Sequence, residues 1–434
     1  SSKNLMIQKI QAAEMNVRLK GQVITVKDSI EAVNVMIEAG DDDTLVSTDN
    51  PLPGSISDKI SLGDEMDASV MDIVTNAKII LEKGSNIKAG GSVVMKAVSS
   101  QKNNLVPFVE GANIINVKIG NAVISIFGNI EAGGAVEATA SSTVNVAASN
   151  ETLAKYYIPL AAGILVSEAR VETGKDSVIT AGGDVKLSSI SDVTLTTLST
   201  VGALPISLAL SVVVNDSHVQ VLGKIISGNG NIGLDAKGSS TVTTKSTNKT
   251  PETSGSAVNP KSGSSTPTGS GSLSNKYGGF FAASVVIQDV DASLTGNGSL
   301  SAVNGNITIN SQSSEKVDTQ AVSVGGSKEQ NSQESQTVGG VKDKITALLK
   351  GVTTKLSANA EETKNSAIGK LNSALGRIEG SSGNTITSQE NEHGTVSAPS
   401  RAEVGQKVTV KAVPNTGYKL KGLTYTYLPA GSSS

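Results

Sequence analysis

The residues with the greatest chemical potential in this chain are few. Only two histidines occur, His218 and His393, and there is no cysteine. Disulfides, thiolate zinc sites and cysteine nucleophiles are therefore excluded together, and the wide separation of the two histidines argues against a histidine-based metal site. His218 follows Asn215-Asp216-Ser217, residue types that a Ser-His-Asp apparatus employs, but no nucleophile elbow or partner motif accompanies it. It reads as a turn-flanking surface histidine. Asp184 and Asp235 sit near equivalent places in successive segments, and two carboxylates about 5 to 9.5 Å apart would be a glycosidase pair. Asp235, however, is read two strand positions further along, and Gly91-Ser92 and Gly134-Ala135 carry no acid at the Asp184 position. Asp184 is thus expected to be a turn residue bonding local backbone amides. The triplet Asp41-Asp42-Asp43 lacks the spaced oxygens and turn glycine of a calcium loop and reads as a solvated acidic turn. Gly223 to Gly230 is glycine-rich without Gly-Lys-Ser/Thr, so a corner turn explains it. No catalytic, cofactor-binding or metal-ligating residue is predicted, and no cofactor.

The elements that would position any such residue are repeats. Ile179-Thr180-Ala181-Gly182-Gly183-Asp184-Val185-Lys186-Leu187 recurs as Ile87 to Met95, Ile130 to Ala138 and Ile226 to Leu234, with a looser copy at Leu300 to Ile309. The first strand residue after each glycine turn is Val93, Val136, Val185, Ile232 and Ile307, at intervals of 43, 49, 47 and 75 residues. The long interval contains a Ser/Gly/Thr/Pro-rich stretch. Such self-similarity marks stacked units that cannot bury an apolar face alone. After each turn the apolar residues alternate with period two, as in Val185, Leu187 and Ser189, while Glu137, Lys186, Asp235 and Asn310 take the other face. A second strand is read upstream around Val70, Ile114, Ile164, Val212 and Val285, 20 to 23 residues before each marker. Each repeat is therefore expected to be two coils of about 22 residues, placing successive markers roughly 10 Å apart with a coil between them. Pro107, Pro159 and Pro205 recur in one phase and mark a corner or strand entry, since proline cannot donate to a ladder.

Composition agrees. The chain has 4 Phe, 6 Tyr and no Trp, too few for a globule of 434 residues, whereas a solenoid fills its narrow interior with Val, Ile, Leu and Ala. A net charge of −3 without a basic stripe excludes a nucleic-acid surface. No apolar run is long enough to span a membrane, and Ser1-Ser2-Lys3 has no signal-peptide pattern. The start without Met and the abrupt Ser432 to Ser434 end are read as those of a segment of a longer chain.

Three regions result: residues 1–325 as an all-β, parallel β-helix (β-solenoid), 326–385 as linker and amphipathic helix or helical hairpin, and 386–434 as a small β-grasp-like module. Within the first, residues 1–83 are less regular coils with a loop at about 40–68. An insertion at 244–275 is too poor in large apolar residues to offset its ordering entropy and is expected to be a flexible, dispensable loop. In the second, Val341, Ile345, Leu348, Leu349, Val352 and Leu356, then Ile368, Leu371, Leu375 and Ile378, fall at helical spacing. This stripe is expected to pack over the solenoid end or over itself. The third shows the alternation Val408, Val410, Ala412 and the turn Pro414-Asn415-Thr416-Gly417.

The Ile-x-Ala-Gly-Gly-Asp-Val-x-Leu repeats resemble the β-helical repeats of filamentous haemagglutinin and leukotoxin-type bacterial adhesins over residues 60 to 320. The tail, from Gly394-Thr395-Val396 through Val408 to Tyr418, is similar to the divergent internalin-B-type repeat of bacterial surface proteins, although the chain stops soon after Tyr427, short of that module's last strand. Together the resemblances imply a segment of a large secreted or surface-displayed bacterial adhesin, extracellular or at the cell surface. It would act as a scaffold without catalysis, binding host-surface glycans or proteins weakly and multivalently. Parallel β-helices also host pectin-cleaving enzymes, so a polysaccharide-active protein is the alternative, and a passive stalk the third reading.

Overall fold

The computed structural model describes residues 4–42, 56–61, 67–101, 113–152, 160–201, 206–248 and 279–322, with 350, 369, 371, 384–385, 394–397, 401–402 and 411–414 beyond them. The chain divides into two compact units, Ser1–Ala374 and Leu375–Ser434.

The first unit opens with β1 (Asn4–Ala12), β2 (Val17–Gly21), β3 (Val23–Ala32), β4 (Val35–Asp42) and β5 (Ile56–Ser61). Five coils of three strands follow. They are β6 (Asp67–Leu81), β7 (Asn86–Ala89) and β8 (Val93–Gln101); β9 (Asn113–Ile126), β10 (Asn129–Ala132) and β11 (Val136–Thr152); β12 (Leu160–Thr173), β13 (Val178–Ala181) and β14 (Val185–Val201). The last two are β15 (Ile206–Val221), β16 (Lys224–Ser227) and β17 (Ile232–Asn248), then β18 (Gly279–Leu294), β19 (Ser299–Ala302) and β20 (Ile307–Val322). Stacking these coils makes three walls. The first wall runs β6-β9-β12-β15-β18, the second β7-β10-β13-β16-β19, and the third β2-β4-β8-β11-β14-β17-β20. β3 joins the first two: its Val23–Val26 pair with β6 and its Ser29–Ala32 with β7, so one strand bends across the corner. The stack is parallel throughout, as expected of a β-solenoid; the antiparallel exception is β5, which lies along the edge of β6.

The marker column is present, but its spacing is not the one expected. Val93, Val136, Val185, Ile232 and Ile307 are direct ladder partners. Each repeat is therefore one coil of three strands, not two of about 22 residues, and successive markers stand about 4.8 Å apart. The upstream strand belongs to the opposite wall instead of an intervening coil. Period-two alternation reports which face of a strand is buried but not which strand it bonds to, and only the closed coil decides that. The upstream column also shifts: Ile164, Val212 and Val285 are in register, yet the β9 partner of Ile164 is Val117 and not Ile114. In β16 it is Ile225, and not Ile226, that aligns with Ile179, because the following turn holds one more residue than Gly182-Gly183-Asp184.

Where the three walls meet, β-branched and small aliphatic side chains fill a triangular core: Ile124, Ile130, Val136, Ile179, Val185, Leu187 and their equivalents are essentially solvent-free. Beyond it the long strands continue, and the first and third walls face each other as two layers. Val144, Val146, Leu165, Val193, Leu195, Val213 and Val242 form a second core there. Between the two lies a waist of small or polar residues. On the first wall it is Thr75, Gly120, Ser167, Asn215 and Gln288 in successive ladder positions. Gly120 is required at this approach, since a Cβ would stand 2.8 Å from Val144 Cγ2 and 2.9 Å from Ser142 Oγ.

Several expectations about the margins need adjustment. The loop at 40–68 contains β5, and β4 runs through Asp42. β17 runs to Asn248, so the insertion cannot begin at Thr244, whose hydroxyl is buried and bonded to Ser211 and Ser284; residues 249–278 lie outside the described residues. So do Pro107, Pro159 and Pro205, though β12 and β15 start at the residue after the last two. Of the amphipathic segment only Lys350, Gly369 and Leu371 are described. In the second unit β21 (Asn384–Thr385), β22 (Gly394–Ser397), β23 (Arg401–Ala402) and β24 (Lys411–Pro414) pair antiparallel, β21 with β23 and β22 with β24. The Pro-Asn-Thr-Gly turn and His393 otherwise fall outside the described residues.

Candidate functional site

Corner chemistry accounts for Asp184. Where the residue preceding the third wall is Asn34, Ser92, Asp184 or Asn231, its side chain accepts an amide from the next coil: Asn34 Oδ1 from Ser92 N–H at 2.8 Å, Ser92 Oγ from Ala135 N–H at 3.2 Å, Asp184 Oδ1 from Asn231 N–H at 2.7 Å, and Asn231 Oδ1 from Asn306 N–H at 2.9 Å; Ala135, at the same place, has no side-chain acceptor to offer. Asp184 thus bonds an amide 47 residues away, not a local one. Short polar side chains suit this place because a corner amide turned out of the ladder must find an acceptor. Glycines precede them since a Cβ on Gly133 or Gly182 would collide with the glycine carbonyl one coil below. Asp235 is the ladder partner of Ser188 and Asn310, four positions beyond the Asp184 equivalent. The separation along the strand is about 13 Å, so the two carboxylates do not form a glycosidase pair.

The structure instead assembles carboxylates that the sequence reading passed over. On the outward side of the first wall, Asn121, Glu168, Asp216 and Asp289 are consecutive ladder partners, and the next outward row is Val123, Arg170, His218 and Asp291. Glu168 and Asp216 are buried, and neither is without a partner. Arg170 Nε lies 3.0 Å from Glu168 Oε1, and its guanidinium also reaches Glu172 Oε2 at 3.8 Å. Ser125 Oγ donates to Glu172 Oε1 at 2.8 Å. His218 Nε2 faces Asp289 Oδ2 at 3.8 Å, so His218 is part of a charged strip and not a turn residue. Successive coils hold the acids about 4.8 Å apart. The signal was in the sequence: Val166-Ser167-Glu168, Val214-Asn215-Asp216 and Ile287-Gln288-Asp289 each place an acid two residues after an apolar outward residue.

Elsewhere the outward faces carry isolated pairs. Lys83 Nζ donates to Asp176 Oδ2 at 2.8 Å, bridging exposed corners. That contact and its charge hold the Asp176 carboxyl below its usual range and the Lys83 ammonium above its own. Lys186 is exposed, Glu137 and Asp235 partly so, on the outward side of the third wall as expected. Among the described residues no group of three or more His, Cys, Asp or Glu side chains is arranged to hold a metal ion, and no helix is long and apolar enough to cross a membrane.

With this geometry in view, comparison with known families places one part of the chain. Residues 384–433 match the divergent InlB B-repeat domain. The tail is therefore a repeat module of the kind found in surface and secreted bacterial proteins. The match covers the end of the chain only, and no haemagglutinin family model matches the solenoid. Searches of curated proteins and of solved structures return no match.

Proposed function

We propose that this chain is a segment of a large secreted or surface-displayed bacterial adhesin of the filamentous haemagglutinin and leukotoxin type, working as a rigid scaffold and not as a catalyst. The observation that carries the reading is the conjunction in one chain of a long parallel stack with an InlB B-repeat module. A stack tied by ladder bonds along its strands resists bending and holds equivalent coil corners at fixed spacing. Its outward third-wall positions mix signs, with Glu137, Lys186 and Asp235 separated by single coils. Contacts made by such a surface are individually weak and gain by effective concentration when several engage together. Host-surface glycans or proteins are the ligands that suit it, outside the cell or at its surface.

One observation favours the alternative, a polysaccharide-active protein: the Glu168, Asp216 and Asp289 row has the spacing of paired carboxylates in retaining glycosidases. The two readings separate in one experiment. The purified chain is incubated with neutral and acidic polysaccharides, and new reducing ends and unsaturated products are measured beside glycan-array binding. Adhesion predicts array signal that rises steeply with probe density and no product. Turnover abolished by Glu168→Gln or Asp216→Asn would instead establish the enzyme.

A further inference from the structure

The outward side of the first wall is apolar along its N-terminal half, and it is not open to solvent. Val117 and Ile119 of β9, Ile164 and Val166 of β12, and Val212 and Val214 of β15 all point away from both interior cores, yet none is more than 2 % exposed. Their inward neighbours settle the direction: Leu165 and Val213 belong to the two-layer core, whereas none of these six belongs to either interior cluster. Something therefore covers this face from outside.

We infer that the outer apolar face of the first wall is the docking surface for the amphipathic segment of this same chain between Val341 and Ala374. Leu371 is completely buried although it lies outside every strand. The compact unit that contains the solenoid extends to Ala374 and so includes this segment. Its apolar residues Val341, Ile345, Leu348, Leu349, Val352 and Leu356 supply a single stripe. As a helix, residues 341–356 would be about 24 Å long, against about 19 Å across the five strands of the wall. Two other stretches fit less well. Residues 249–278 hold Val258, Leu273 and Tyr277 as their only large apolar side chains, and β5 is hydrogen-bonded to the edge of β6 and so widens the wall instead of lying over it. From sequence the stripe was expected to pack over the solenoid end or over itself, and the last coil bears on the first of these. Its inward Ile307 and Ile309 are each 46 % exposed.

The absence of cysteine makes the test clean. A thiol is introduced in the full chain by Ile164→Cys on the covered face, by Lys186→Cys on the open third wall, and by Val193→Cys in the inner core. With a maleimide, the Ile164→Cys thiol should react about 100-fold more slowly than the Lys186→Cys thiol, as protection by a docked segment requires. Adding Leu348→Glu and Leu371→Glu should raise the rate at position 164 by about 10-fold or more while leaving position 193 protected. Equal rates at 164 and 186 in the parent would overturn the inference. So would a position 164 that stays protected in the double-Glu background with position 193 protected too. If position 193 also opens, the fold has been lost, and a second measurement decides: a photo-reactive residue at half-buried Val74, on the margin of the face, in the otherwise unaltered chain. A cross-linked peptide within 341–374 upholds the inference, and one elsewhere in the chain or on a second copy overturns it.

Discussion

The triangular core and the two-layer extension are built from the same strands, yet they solve burial differently. In the triangle most inward positions are aliphatic, and the hydroxyl residues Thr173, Ser189 and Ser227 stand singly in ladder columns whose other members are aliphatic. In the extension two walls face each other across a gap that narrows at the waist, and hydroxyls replace methyls there. Ser167 Oγ lies between Ser142 Oγ at 2.8 Å and Ser191 Oγ at 2.7 Å, and on the far side of the second core Ser211 Oγ donates to Thr197 Oγ1 at 2.8 Å. The Asn215 amide donates to Ser240 Oγ and to the Ser239 carbonyl, both at 2.9 Å. A buried polar group is tolerated when bonded and costly when not. Stacking makes bonding easy, because each coil supplies the next with an equivalent partner. The lesson is that a solenoid can carry a polar interior wherever the repeat itself provides the acceptor.

The comparison breaks most decisively at Val185, which is 1 % exposed in the triangle. Val185→Asp should cost about 4 kcal/mol or more through an unpaired buried charge, against about 0.5 kcal/mol or less for exposed Lys186→Asp next to it. Chemical denaturation of the two variants checks this, and equal midpoints would contradict the register.

A smaller effect is expected in the waist. Asn215→Ala leaves the Ser239 carbonyl and Ser240 hydroxyl short of a donor and should cost about 1–3 kcal/mol, whereas replacing Ser142, Ser167 and Ser191 together by Ala should cost less than the sum of the single changes. Thermal melts of the single and triple variants measure the difference. A triple variant as damaging as three independent losses would show that the hydroxyls do not act as one relay.

At the corners the ladder bonds are exposed to water. Asp184→Ala should lower stability by about 0.5–1 kcal/mol, and Asp184→Asn should restore it, since Asn34 and Asn231 already perform the same acceptance. The smallest effect belongs to Lys83 and Asp176. Asp176 is held below its ordinary 3.8 by the Lys83 hydrogen bond and charge, so its contribution is present above pH 3.8 and fades as pH falls through the lowered value. Lys83 is held above 10.5 by the same contact, so its share is present below pH 10.5 and fades as pH rises through the raised value. Asp176→Asn should flatten a shallow, salt-sensitive decline in melting temperature at acid pH and change little near neutrality. A melting point unchanged by salt at pH 6 would mean that the exposed pair contributes nothing.

Much of this was readable from residues, and the failures have physical causes. Val136, Ala138 and Ala140 alternate because one face of a half-buried strand must be apolar, so the inward column was legible. The unbroken run Leu160 to Val166 carried the further message that both faces of β12 are buried, a pattern typical of covered parallel strands. The slip from Ile226 to Ile225 was not visible, because a turn can absorb one residue without disturbing the alternation on either side. The acids Glu168, Asp216 and Asp289 stand far apart in the chain and become neighbours only through stacking.

By itself, then, the sequence determined the repeat, the strand periodicity, the inward residues and the bacterial-surface module at the C-terminus, because each of these is written in local spacing or composition. Only the tertiary structure decided that a repeat is one coil and not two, that Asp184 serves the next coil and not its own turn, and that a row of carboxylates crosses the first wall. Those depend on which strands hydrogen-bond to one another. Ladder pairing is non-local and set by closing the coil, so nothing in a single strand's pattern specifies it.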